Sequence, residues 1–143
     1  MDHVAIMRKS WGLIPKILDG RKKIESRWSK NKCAPWGKVK IGDVVYFKNS
    51  GGPIVAKAKV SAVLYYKDLN PEKVRKIVRK HQGDGGISVG NLANTIKWAS
   101  GKRYCTLVFL IKAGKVIPFN IDKKGFGIGA AWLCVGDINK IRR

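Results

Sequence analysis

The sequence predicts an α+β domain built on a small, mostly antiparallel, strongly curved sheet or β-barrel, flanked by two or three helices. Three observations carry this expectation. The apolar runs are short and separated by glycine, proline and asparagine turns, as in strand-rich chains. The strands follow one another as neighbours instead of alternating with helices, which argues against a parallel βαβ sheet. A length of 143 residues, with 45% hydrophobic and 27% charged side chains, fits one domain with a real core, so a single domain over 1–143 is expected.

Residues 3–7 (HVAIM) read as a buried strand. Ser10 is placed to cap a helix whose Trp11, Ile14, Ile17 and Leu18 share one face, with Gly20 as its stop. The next strand, 23–28, alternates: Ile24 points one way, and Lys23, Glu25 and Arg27 the other. Residues 42–47 form an apolar strand. Residues 54–66 form a long one, with Ile54, Ala56, Ala58, Val60, Ala62 and Leu64 on one face. Asn70 caps a helix that begins at Pro71 and turns Val74, Ile77 and Val78 inward. A further helix is expected over 89–100, with Leu92, Ala93, Ile96 and Ala99 inward. Residues 103–111 are apolar on both faces, as a central strand requires; Ala113 and Gly114 should turn the chain into a strand at 115–119. After the glycine-rich turn 125–129 come a last strand, AAWLCV, and a basic tail.

Charge is the strongest functional signal. Thirty Lys and Arg stand against nine Asp and Glu, a net +21, which implies a polyanionic partner. No apolar run approaches the roughly 20 residues of a membrane span. The basic helix 71–80 has too narrow an apolar stripe for a lipid surface. The expected partner is RNA, single-stranded or structured, with single-stranded DNA and modified nucleosides as further candidates. No membrane association is expected, and the acid and His near the N-terminus do not resemble a signal peptide, so the reading is cytoplasmic. Cys33, Cys105 and Cys134 form neither a disulfide framework nor a zinc pattern, and the chain has only two histidines. No metal and no cofactor are expected; the 125–129 glycines lack the context of a dinucleotide fingerprint.

The segment GRKKIESR, residues 20–27, sets one carboxylate, Glu25, among Arg21, Lys22, Lys23 and Arg27. Such a cluster keeps a positive field for phosphate. Its carboxylate can accept from a base amine or a ribose 2′-OH, or act as a general base. An ordinary cross-strand ion pair is the alternative. Lys22 and Glu25 are the candidate catalytic residues, although alternation sends them to opposite faces unless the chain is still turning after Gly20. Lys9 and Trp11 at the first helix, Trp28 with Trp36 around a basic loop, and Arg75, Arg79 and Lys80 on the basic helix complete the candidate nucleic-acid contacts.

The order helix, GRKKIESR, strand, Pro-Trp loop, Gly-Asp strand resembles the ASCH domain family of the PUA-like superfamily. Gly20, Lys22, Glu25 and Arg27 match its GxKxxExR signature, and Ile41-Gly42-Asp43 and the late PFNID…GFG…AAWLCV segment are also similar to it. The resemblance covers essentially the whole chain. It implies a β-barrel with flanking helices, a cleft beside the signature and a role in RNA binding. One branch of the family hydrolyses acetylated cytidine with Lys, Thr and Glu, and ribonuclease activity is attributed to others. The branch's Lys falls on Lys22, its Thr position is Glu25 here, and its later Glu has no counterpart. An amidohydrolase of modified nucleosides, or a metal-independent ribonuclease, is therefore the enzymatic alternative to a pure binding module.

Overall fold

The computed structural model describes residues 1–83 and 92–143, with the backbone alone for Leu92. Among the described residues six strands form one mixed sheet in the order β2-β5-β4-β3-β1-β6, curled into a half-barrel. In chain order these are β1 (Asp2–Met7), β2 (Ile24–Ser29), β3 (Val44–Asn49), β4 (Ile54–Tyr66), β5 (Tyr104–Phe119) and β6 (Trp132–Gly136). The helices are α1 (Leu13–Leu18), α2 (Pro71–Lys80) and α3 (Leu92–Ala99), with short 3-10 turns at Lys9–Trp11 and Ile138–Lys140. Among the described residues β1 and β3 run parallel and the other pairings are antiparallel. The expected α+β class, with a mostly antiparallel curved sheet, is what forms.

The concave side is filled by Ala5 and Met7, Val45 and Phe47, Ala56, Ala58 and Val60, and Val108 and Leu110, with Leu13, Ile14 and Ile17 of α1 packed against them. A second core lies under α2 and α3, where Val74, Ile77 and Val78 meet Ile24, Trp28, Leu107 and Ala99. Asn70 caps α2 as expected, its side chain accepting from the Lys73 amide at 2.8 Å. A third cluster joins Val4, Ile54, Phe119, Leu133 and Ile138.

Several local expectations are corrected. Ser10 does not cap α1: the chain makes a 3-10 turn first, and Gly12 with φ 59° precedes the helix, so Trp11 leaves the helical face and is 41% exposed. The alternation of β4 breaks after Val60. A register shift between Val60 and Ala62 exposes Leu64, and Val63 turns toward the first core. Ala113-Gly114 makes no turn. Lys112, at φ 53°, sits where the register with β4 shifts, and β5 continues to Phe119. The C-terminal segment is not a loose tail: Ile138 is buried and Ile121 bridges to Arg142. The helix expected at 89–100 is described only from Leu92; within it Ala99 is buried and Ala93 exposed. Its first residues lie outside the described ones.

Candidate functional site

β2 and β6 are the two ends of the curled sheet and do not pair. The seam between them holds a cavity of ≈ 600 Å³, within the range of small-molecule and cofactor sites. One wall is the end of β1 with the turn after it, including Met7, Arg8 and Trp11. The opposite wall is β2 from Glu25 to Ser29. The loop at Cys33–Trp36, Trp98 of α3, Thr106 of β5, Phe126, and Gly129 to Trp132 complete it.

All five tryptophans of the chain, Trp11, Trp28, Trp36, Trp98 and Trp132, line this one cavity. Two are held by hydrogen bonds. Trp36 Nε1 donates to the Tyr66 carbonyl at 2.9 Å, with the rings of Tyr65 and Tyr104 against it. Trp132 Nε1 donates to His3 Nδ1 at 3.1 Å, so the buried His3 carries its proton on Nε2 and donates to Asp43 Oδ2 at 2.8 Å. Burial alone would raise the Asp43 carboxyl; the hydrogen bonds from His3, the Lys40 amide and the N-terminal ammonium outweigh it and hold the pKa below the ordinary value. Trp11 and Trp98, at 41% and 51% exposed, leave large aromatic surface open to solvent. Four rings carry a cation: Arg8 over Trp11 at 5.0 Å, Lys32 over Trp36 at 5.1 Å, Lys102 over Trp98 at 5.0 Å and Arg27 over Trp132 at 5.3 Å.

Glu25 is 5% exposed. Its Oε1 lies 3.4 Å from Arg27 Nε, close enough to ion-pair but not aligned as a hydrogen bond. Glu25 Oε2 and Arg27 Nε are consequently both buried without a hydrogen-bond partner. Leaving such a group unpaired costs about 1–3 kcal/mol, more for a charged one, so a ligand that supplies the partners gains accordingly. The remaining Arg27 nitrogens are engaged within the protein: Nη1 donates to the Ala131 carbonyl, and Nη2 to the Ile6 carbonyl and Met7 sulfur.

The other residues singled out in the sequence are dispersed. Lys22 is 7% exposed, donates from Nζ to the Ile24 carbonyl at 2.6 Å and does not line the cavity, so it is not brought into the site with Glu25. Arg21 pairs with Asp19 at 2.7 Å on the surface. Lys9 and Lys23 are exposed outside the cavity, as are Arg75, Arg79 and Lys80 on the outer face of α2.

No protein-family model matches the chain, and no curated protein matches it significantly. Solved structures do. The ASCH protein of Zymomonas mobilis superposes with a TM-score of 0.66 at 12% identity, over 97% of this chain and 91% of that one. A point mutant of it gives 0.67 at 12% identity, over 97% and 93%. The chain has an ASCH-type fold. The N-terminal domain of Staphylothermus marinus McrB is also similar, with a TM-score of 0.54 at 16% identity, over 94% and 87%. The resemblance read from Gly20, Lys22, Glu25 and Arg27 thus holds at the level of fold.

Within this ASCH-type fold, sequence reasoning found Glu25, Arg27, Trp11, Trp28 and Trp36 but missed Trp98, Trp132, Phe126 and the His3–Asp43 support. The available signal was the tryptophan count. Five of these large rings in a chain this small invite one shared explanation, although their spacing in sequence gives no hint of convergence.

Proposed function

We propose that the protein is a nucleic-acid-binding module that holds an unpaired nucleotide, foremost of RNA, in the seam cavity. The observation that carries this reading is the convergence of all five tryptophans on one cavity that is also lined by Glu25, whose Oε2 has no hydrogen-bond partner. Aromatic walls stack a base whatever its identity, at about 1–3 kcal/mol per base. Arg27 Nε, 3.4 Å from Oε1 of the same carboxylate, is also without a hydrogen-bond partner, and an acceptor and donor side by side complement the donor–acceptor edge of a nucleobase. Arg8, Lys32 and Lys102, each over a tryptophan, are placed to meet the phosphates on either side of the stacked base. Arg27 acts as a positioning residue for Glu25 and Trp132.

Binding without turnover is the reading the geometry favours, because Lys22 and Glu25 do not meet in the cavity. The test uses end-labelled single-stranded RNA, with single-stranded DNA alongside, at about 50 and 200 mM salt, a range over which phosphate-driven binding falls steeply. Retarded, full-length RNA is expected, weakened at least about tenfold by Trp36→Ala, in line with the loss of one stacking wall. Shortened RNA made by wild type and not by Glu25→Gln would replace this reading with the nuclease alternative. Unaltered affinity in both variants would remove the cavity from the function.

A further inference from the structure

In the glycine-rich segment that borders the cavity, Gly127 and Ile128 stand outside its lining. Phe126, Gly129 and Ala130 line the cavity, yet Ile128 between them is 108% exposed, the most exposed large hydrophobic side chain among the described residues. It stands between Gly127 at φ 90° and Gly129 at φ 76°, with Gly125 at φ 92° before them, a left-handed backbone path that side chains rarely allow. The foot of the loop is fixed and basic. The Lys124 amide donates to Asp122 Oδ1 at 2.9 Å and the Phe126 amide to the Lys123 carbonyl at 3.2 Å, while the side chains of Lys123 and Lys124 stay exposed. The sequence therefore presents two cations and then a bare branched apolar tip, immediately beside the tryptophan-lined cavity. Among the described residues the tip belongs to none of the three apolar clusters.

We propose that residues 123–129 form a duplex-opening wedge: Ile128 enters the base stack of a double-stranded nucleic acid at the place vacated by the nucleotide that the tryptophan cavity takes. This rests on the nucleotide-binding reading of the cavity and adds the partner's form. A base that reaches Glu25 must leave its stack completely, and extrusion from a duplex costs unstacking and unpairing. An apolar side chain inserted between base steps offsets that cost, and lysines beside it hold the flanking phosphates. No covalent step is involved.

The experiment compares wild type, Ile128→Gly and Ile128→Phe on one sequence presented as a single strand, a perfect duplex, and a duplex with one central mismatch, in RNA and DNA arms. Ile128 is fully exposed, so the variants should fold; unchanged thermal melting checks this. Removal of the wedge in Ile128→Gly should weaken perfect-duplex binding by about fivefold or more, since part of the unstacking then goes uncompensated. Single-strand affinity should stay within about twofold. Ile128→Phe should retain duplex binding, and the mismatch, whose base is already loosened, should restore most of the affinity lost in Ile128→Gly. The DNA and RNA arms show which duplex is preferred. Equal effects on single strand and duplex, or none on either, would overturn the wedge. So would a wild type that binds single strands alone, but that result leaves the cavity reading standing; Trp36→Ala on the single strand tests that reading separately.

Discussion

Arg27 spans the open seam of the sheet and donates from Nη1 to the carbonyl of Ala131, 104 residues away, at 3.1 Å. The same guanidinium reaches the Ile6 carbonyl and lies over the Trp132 ring. A half-barrel whose end strands do not pair needs such a clasp if the space between them is to keep a fixed width. Lysine cannot reproduce it, since it lacks the planar fork. Arg27→Lys should destabilise the fold by about 1–3 kcal/mol in urea unfolding and weaken RNA binding beyond that. Arg27→Met, which also leaves buried Glu25 without its cation, should cost about 3–5 kcal/mol. Equal stability of all three proteins would show that the seam holds without the clasp.

Glu25→Gln separates a structural carboxylate from a reading one. The substitution keeps the shape but removes the charge and one acceptor. As a structural ion pair, Glu25 would be missed, and the melting temperature would fall. As a ligand acceptor with one oxygen buried and partnerless, it carries a burial cost in the empty protein. We expect melting to be unchanged or slightly raised and RNA affinity to fall by about tenfold, the value of one lost charge-assisted hydrogen bond of roughly 1.4 kcal/mol or more.

The strands were legible because short apolar runs bounded by turn residues leave few alternatives, and β4 at 54–66 has the expected bounds. The faces were less legible. One extra residue between Val60 and Ala62 reverses the alternation, and no propensity marks such a bulge in VSAVLYY. In the site, the signature segment pointed to Glu25, but its neighbour in sequence, Lys22, turns back to the Ile24 carbonyl. Trp132 enters the cavity from a strand more than a hundred residues later, by way of the β1–β6 pairing that places it opposite Ala5. Non-local pairing of this kind is invisible to local pattern, and it built most of the aromatic lining.

Cys33 offers a footprint of the cavity. It is exposed and lines the site, while Cys105 is buried and its thiol is pushed far above the ordinary value by burial. Cys134, half-buried, is shifted the same way. The thiolate is the reactive form. A maleimide should therefore modify Cys33 first in the folded protein, and bound RNA should slow that step with no effect on the total thiols titrated after unfolding. Modification at an unchanged rate in saturating RNA would place the ligand elsewhere.

Stability at acid pH should report on the support behind Trp132. The Asp43 carboxyl is lowered in the fold, so the folded state binds fewer protons than the unfolded chain at acid pH. Its contribution is present above the unfolded value of about 3.9 and is lost as pH falls through the lower folded value. Wild type should lose melting temperature across that window, and Asp43→Asn should lose less there because its part of the dependence is gone. At neutral pH Asp43→Asn should melt about 4 °C or more below wild type, since the ammonium and His3 lose their anion. A wild-type acid profile identical to that of Asp43→Asn would remove Asp43 from the linkage.

Intrinsic fluorescence gives the most direct reading of the site, because every tryptophan in the chain lines it. In most proteins a ligand perturbs one emitter among several and the signal is diluted. Here a base stacked among the rings would quench several at once, and Trp11 and Trp98, the most exposed, would also lose solvent contact. Titration with a short single-stranded RNA should quench a large share of the emission and shift the remainder to the blue, with a midpoint that moves to higher RNA as salt is raised. Trp36→Ala should lower the starting intensity and weaken binding. Substitution of Arg79 by Ala on the outer face of α2, away from the cavity, should leave the amplitude intact and at most reduce the salt-dependent part of the affinity. A retardation assay that shows binding without any change in fluorescence would put the RNA on α2 and the outer surface, and leave the cavity empty of it.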